Sequence, residues 1–173
     1  LDAALRDDSP KVREQAAWAL GMIESSDGVD ALARATDDEF SEVRKQTAWA
    51  LGMIESTGGV EPLTALLRDQ DPGVREQAAW ALGMIESPAG VEPLVAALAS
   101  DPYADVREQA AWALGMIEDS RAAGPLSEAL EDDDEDVRDQ AMWALGMVVR
   151  GSDVESIDTG ELARRLRRSL QDE

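Results

Sequence analysis

Five aspartates each precede an arginine by six residues: Asp7 and Arg13, Asp38 and Arg44, Asp69 and Arg75, Asp101 and Arg107, Asp132 and Arg138. A carboxylate beside a guanidinium can fix a turn through charge-assisted hydrogen bonds or take part in proton transfer. One pair per segment supplies no nucleophile and no general base tuned to neutral pH, so the pairing reads as structural. Each aspartate is expected in a turn, bonded to the arginine in the first turn of the helix that follows. The chain has neither cysteine nor histidine, which removes thiol nucleophiles, disulfides, the usual zinc ligands and the most versatile acid-base group. The acidic run Glu131 to Asp136 invites a calcium reading. An EF-hand loop begun at Asp132, however, lacks glycine at its sixth position and places Trp143 where the bidentate glutamate belongs. A solvated acidic cluster at a helix N-terminus fits better. No catalytic residue, metal or cofactor is expected, and the chain reads as a non-enzyme.

The second recurring chemistry is aromatic. All five tryptophans, Trp18, Trp49, Trp80, Trp112 and Trp143, lie in copies of one phrase: VREQAAWALGMIES at Val12, VRKQTAWALGMIES at Val43, VREQAAWALGMIES at Val74, VREQAAWALGMIED at Val106 and VRDQAMWALGMVVR at Val137. The copies start 31, 31, 32 and 31 residues apart, which marks a tandem array. In the first copy Val12, Ala16, Ala19, Leu20 and Ile23 recur at the spacing of one helix face. With about 100° per residue, Trp18 falls roughly 150° from the centre of that face, with Met22 and Gln15 on the same side and Glu14 beyond. The later copies place Lys45, Gln46, Trp49 and Met53; Glu76, Gln77, Trp80 and Met84; Glu108, Gln109, Trp112 and Met116; and Asp139, Gln140, Trp143 and Met147 in the same positions. A Trp-Met-Gln stripe thus recurs once per copy, at roughly the 8 to 10 Å spacing of packed helices.

Two readings of the stripe stand side by side. In one, each indole lies over the neighbouring copy's Met and Gln as a packing ladder, burying part of its roughly 150 to 250 Å². In the other, the indoles form an aromatic groove, since five of them partly exposed would exceed the few hundred Å² of apolar patch usual for a monomer. A groove flanked by Glu14, Glu76, Glu108 and Asp139 suits an extended or helical segment carrying Arg or Lys, through cation-π contact and charge pairing.

These side chains must be positioned by helices. Ser9, Asp71 and Asp101, each before a proline, are expected as N-caps. The long helices are expected to stop in Ser-Ser-Asp-Gly, Ser-Thr-Gly-Gly and Ser-Pro-Ala-Gly. A shorter apolar pattern follows each stop, from Val29, Val60, Val91 and Ala123, with Pro62, Pro93 and Pro125 inside the first turn. The unit is a short helix, a turn and a longer helix, and such pairs bury their apolar faces only by stacking. Gly21, Gly52, Gly83, Gly115 and Gly146 fall inside the long helices at a cost of about 1 kcal/mol each relative to alanine, as packing or curvature positions.

These residues resemble HEAT repeats, of the short bacterial kind related to the phycobilisome-lyase repeat. The resemblance is carried by the proline of the short helix, the Asp…Val-Arg turn and the Ala-Ala-x-Ala-Leu-Gly-x-Ile run, and it covers residues 1 to 150. It implies an all-α fold, a right-handed α-solenoid of about five stacked helix pairs with the longer helices on the concave face. The first short helix would begin before Leu1, so the N-terminus is expected to be cut from a longer protein or array. Residues 151 to 173 depart from the repeat and are expected to be a linker and a capping helix from Glu161 to Leu170, through Leu162, Leu166 and Leu170.

Net charge is -21, from 37 acidic and 16 basic residues, which opposes binding to phosphate backbones and anionic membranes. Such acidity suits solvation in a high-salt organism, or attraction of a basic partner. The one basic cluster, Arg164, Arg165, Arg167 and Arg168, is expected to pair within this acidic array. No apolar run approaches the roughly 18 residues of a membrane span, and a soluble protein with the cytoplasm as default compartment is expected. The function that follows is a protein-interaction scaffold. Its candidate partner-binding residues are Trp18, Trp49, Trp80, Trp112, Trp143, Met22, Met53, Met84, Met116, Met147, Gln46, Gln77, Gln109, Glu76 and Glu108. The partner would be a protein or peptide, not nucleic acid or membrane. The alternative is a self-associating homo-oligomer, joined through the stripe or end to end through the first repeat. Enzymes of this superfamily that resemble deoxyhypusine hydroxylase would need His-Glu iron ligands, and the lyase-like and glycosylase-like ones a chromophore site or a basic concave face, none of which this sequence carries.

Overall fold

A computed structural model describes residues 1–151, all of whose regular elements are helices. The chain forms two compact units, Leu1–Gly90 and Val91–Glu173. The expected capping helix and the arginine cluster at residues 164–168 lie outside the described residues.

In the first unit a short turn at Ala4–Arg6 precedes α1 (Pro10–Ile23), α2 (Val29–Ala35), α3 (Ser41–Ile54), α4 (Val60–Leu66) and α5 (Pro72–Ile85). The second unit holds α6 (Val91–Ser100), α7 (Ala104–Ile117), α8 (Ala123–Ala129) and α9 (Glu135–Gly151). Long helices pack on long helices, α1 beside α3 and α3 beside α5 in the first unit, α7 beside α9 in the second. Short helices close the other side, with α2 on α3, α4 on α5, α6 on α7 and α8 on α9. Val43, Val74, Val106 and Val137 near the starts of the long helices are buried, as are Leu32, Leu63, Leu94 and Leu126 in the short ones. This is the all-α stacked-pair architecture that the period of the sequence requires.

The helix ends follow different residues from those expected. Pro10 and Pro72 do open their helices, and the Asp71 carboxylate accepts from the N–H groups of Gly73 and Val74 at 2.9 and 3.3 Å. Ser9 stands at the N-cap position without a side-chain bond. Asp101 is not the N-cap of α7, which begins at Ala104 behind Tyr103. The extra residue of the 32-residue interval is absorbed by α6, which runs ten residues where α2, α4 and α8 run seven. At the other end α1, α3 and α5 end at Ile23, Ile54 and Ile85, two residues before the serines expected to stop them, and α7 ends likewise at Ile117. Glu24, Glu55, Glu86 and Glu118 adopt left-handed backbone, with φ of 54°, 52°, 52° and 53°. A non-glycine residue there costs about 1 kcal/mol, and a carboxylate at a helix C-terminus opposes the dipole.

The five Asp-Arg pairs are structural, but their wiring differs from the expected one. Arg13 donates Nη1–H to the backbone carbonyl of Asp7 at 2.8 Å, so the residue six positions back supplies its main chain and not its carboxylate. The carboxylate comes from the next repeat, where Asp38 accepts from Nε and Nη2 of Arg13 at 2.6 and 2.9 Å. Arg44 repeats the pattern on the Asp38 carbonyl at 2.8 Å and the Asp69 carboxylate at 2.6 and 2.8 Å. In the second unit Arg107 bonds the Asp101 carbonyl at 3.0 Å and the Asp132 carboxylate at 2.9 and 2.8 Å. Each acceptor also ties its own turn, Asp38 through the N–H of Phe40, Asp69 through that of Asp71 and Asp132 through that of Asp134. Arg13 lies over the Phe40 ring as well, 5.6 Å from its centroid.

Side chains of the Arg44 and Asp69 rung are each only 8% exposed, so the pair is shielded from water and salt. Burial alone would raise the Asp69 carboxyl. The hydrogen bond from Arg44, the Asp71 N–H and the charges of Arg44 and Arg75 outweigh it and hold Asp69 below the usual carboxylate range. Asp38 and Asp132 are lowered by the same balance. Their contribution is therefore complete above the ordinary aspartate pKa of about 4 and is lost as pH falls through the lowered values. Acid titration of the urea midpoint should first raise stability, as the net charge of -21 is relieved, then lower it steeply below about pH 4. Asp69→Asn should cost about 2 to 3 kcal/mol at neutral pH and flatten that acid limb. Glu86→Gly should raise stability by about 1 kcal/mol in the same assay, by relieving the left-handed backbone.

Candidate functional site

Each tryptophan sits mid-helix, opposite the buried Val-Ala-Leu side. Trp49 and Trp80 in the first unit and Trp112 in the second are half-buried, whereas Trp18 and Trp143 are 46% and 41% exposed. Met22 is exposed, and Met53, Met84, Met116 and Met147 are half-buried, as are Gln46, Gln77, Gln109 and Gln140. Glu14, Glu76 and Glu108 are half-buried at the flank, with Lys45 and Asp139 exposed. In the first unit the stripe runs through Trp18, Trp49 and Trp80; in the second through Trp112 and Trp143.

Three of the indoles meet a glycine of the preceding copy. A methyl group at Gly21 would sit 2.7 Å from Cζ3 of Trp49 and 2.9 Å from the Cα of Ala50. At Gly52 the same atoms of Trp80 and Ala81 lie at 2.8 and 2.9 Å, and at Gly115 those of Trp143 and Ala144 at 2.7 and 2.9 Å. These distances are below any real Cβ contact. Glycine is therefore required for backbone to meet backbone between adjacent long helices, and the six-membered edge of the next tryptophan rests in the gap it leaves. For Trp49, Trp80 and Trp143 one edge of the ring is thus packed against the preceding copy, while part of each ring stays accessible to solvent.

The residues facing along the array lie outside the face read from helical spacing. The face centred on Val12, Ala16, Leu20 and Ile23 omits Ala17 and Gly21, both buried, and buried Arg13. In α3 the burial extends over Arg44, Ala48, Ala50 and Gly52, an arc wide enough to meet a short helix and two long neighbours. Small size was the available signal, because Ala and Gly recurred at those positions in every copy but the last, where Met142 replaces alanine. The acidic run at residues 131–136 is also used locally. Asp132 and Asp133 both receive Arg107, and Asp134 caps α9 through the N–H groups of Asp136 and Val137. Among the described residues no group of three or more carboxylates is placed to hold a metal ion. No described helix is long and apolar enough to cross a membrane.

The same glycine, placed twice, yields opposite expectations. Gly52→Ala forces a methyl into backbone and should destabilise by about 1 to 3 kcal/mol, less the gain of about 1 kcal/mol in helix propensity. At Gly146 nothing among the described residues lies within 4 Å of the same methyl, so Gly146→Ala should instead stabilise by up to about 1 kcal/mol. Urea denaturation of the two variants measures the contrast.

Among solved structures, the chain is similar to the complex of CpcE and CpcF of phycocyanin lyase from Nostoc sp. PCC7120. The TM-score is 0.75 at 27% identity, over 86% of this chain and 64% of that one. This chain therefore spans less than two thirds of the length of that lyase chain. It is similar to an engineered protein with a TM-score of 0.66 at 26% identity, over 98% of this chain and 93% of that one. The fold is also that of a designed armadillo repeat protein in complex with the peptide (KR)4, with a TM-score of 0.64 at 22% identity over 98% and 96% of the two chains. No curated protein matches. HEAT repeats match residues 1–83, 35–115 and 91–172, so with its stacked helix pairs and its ladder of turns the chain belongs to the HEAT-repeat family.

Proposed function

We propose that this HEAT-repeat chain is a non-enzymatic interaction scaffold that holds an Arg- or Lys-bearing peptide segment against its tryptophans. The observation that carries the reading is that three of the indoles are anchored at one edge by the neighbouring repeat and remain partly open. Trp49 rests on Gly21, Trp80 on Gly52 and Trp143 on Gly115. A ring held this way loses little conformational entropy on binding, which is what makes tryptophan effective as a contact residue. Met and Gln beside each ring add adaptable apolar and polar contacts.

Charge selects the partner. A net charge of -21 attracts a cationic segment and repels nucleic acid and anionic lipid. Glu76 and Glu108 beside the rings offer carboxylates to guanidinium groups that stack on indole. The designed armadillo protein bound to (KR)4 and the lyase subunit bound to its partner are similar folds engaged with a peptide and a protein, and support the scaffold class. A repeating Arg-Lys ligand is the natural first probe.

Titrating the full chain with a (KR)4 peptide should blue-shift and protect tryptophan emission from acrylamide. The affinity should fall steeply as salt is raised, because the attraction is between exposed charges. Trp49→Ala and Trp112→Ala should each weaken binding by about tenfold or more while the chain stays folded by circular dichroism. Unchanged affinity in both folded variants would remove the tryptophans from the site.

A further inference from the structure

The residue four positions before each tryptophan is an acid in every copy but one: Glu14, Glu76, Glu108 and Asp139, against Lys45. At that separation the charge and the ring are neighbours on the helix surface. In the first unit Lys45 therefore stands beside Trp49 on α3, and Glu76 beside Trp80 on α5. Glu14 is already engaged, since Lys11 donates to its carboxylate at 2.9 Å. The first unit thus offers a cation against one ring and an anion against the next.

Both charges are open to a ligand. Lys45 is exposed and Glu76 half-buried, and neither forms an ion pair among the described residues. The Lys45 ammonium lies over the first turn of α5, with Nζ 3.4 Å from a methyl placed at Gly73. The other copies carry Lys11, Glu42, Asp105 and Asp136 at that position, so Gly73 leaves the ammonium uncrowded. The nearby Asp71 carboxylate is held by the N–H groups of Gly73 and Val74 at 2.9 and 3.3 Å.

The spacing of the rings selects a backbone. Packed helices lie about 8 to 10 Å apart. A β-strand returns a side chain to the same face about every 6.6 Å, and an α-helix after seven residues, about 10.5 Å. A polyproline-II segment does so every three residues, about 9.3 Å, and leaves its N–H and C=O groups without internal partners. Gln46 and Gln77, half-buried beside Trp49 and Trp80, each carry an amide that can donate to and accept from such a backbone.

We propose that the first unit selects a polyproline-II segment in which an arginine and an acidic residue stand three positions apart. The arginine lies on Trp80 beside Glu76, and the acid meets Lys45 beside Trp49. This rests on the peptide reading and adds a charge register to it, with Lys45 as the residue that sets the preference.

The test uses the full chain with Trp112→Phe and Trp143→Phe, so that only first-unit indoles emit. Fluorescence titrations at low salt, where the Debye length is about 30 Å at 0.01 M, compare proline peptides carrying Arg-Pro-Pro-Glu, Glu-Pro-Pro-Arg or Arg-Pro-Pro-Arg. The better mixed-charge peptide should bind about fivefold or more tighter than the doubly basic one. Lys45→Glu, a change at an exposed side chain, should invert that order with circular dichroism unchanged. Calorimetry of the wild-type chain and of Lys45→Glu alone reads the same inversion without the phenylalanine substitutions. Equal affinities, or an order that survives Lys45→Glu, would overturn the charge register and leave the basic-peptide reading standing. An Arg-Pro-Glu spacing that binds as tightly would overturn the polyproline-II geometry. A folded chain that binds none of these peptides and no (KR)4 would overturn both readings.

Discussion

One bidentate hydrogen bond sets the geometry on which each unit depends. An arginine on the first turn of a long helix holds the main chain of its own turn with one nitrogen and the carboxylate of the next repeat's turn with two others. The donor fork is rigid and the acceptor is itself pinned by the backbone N–H two residues on, so the bond fixes both the distance and the rotation between successive helix pairs. Its burial makes the register expensive to change, because slipping by one turn would leave a guanidinium and a carboxylate unpaired away from water. Apolar packing supplies most of the driving force for stacking, and the ladder selects which stacking.

With that register set, adjacent long helices approach closely enough that a Cβ at Gly21, Gly52 or Gly115 has no room. The close approach explains a feature costly in isolation, a glycine in the middle of a helix. It also explains why the tryptophans are ordered without being buried. The indole is too large for the gap between helices, so only its edge enters and its face stays outside. Fold and candidate site are coupled through the same glycine, and a substitution there would loosen the array and tilt the ring together.

Much of this was legible beforehand in particular residues. The 31-residue period, the Val-Ala-Leu-Ile face, the prolines of the short helices and the outward placement of Trp18 and its equivalents all follow from spacing alone. The wiring did not. Asp7 is near Arg13 in sequence, but the first turn of α1 aims the guanidinium along the array, toward Asp38 at a separation of 25 residues. The N-cap at Asp101 misled because Asp101 is the ladder aspartate six residues before Arg107, as Asp69 is before Arg75, and the cap position three residues before Val106 is Tyr103, and the helix stops misled because Glu24, Glu55, Glu86 and Glu118 take left-handed backbone normally left to glycine.

The sequence by itself determined that this chain is a stack of helix pairs, since amphipathic helices with a fixed period can bury their faces in no other way. It also determined which side chains face out and that their surroundings are acidic. Only tertiary structure decided the carboxylate partners of Arg13, Arg44 and Arg107, the reason for Gly21, Gly52 and Gly115, and how far each indole is buried. These depend on how close neighbouring repeats come, and closeness is a property of two surfaces in contact, which residues 31 positions apart reveal only once they are packed.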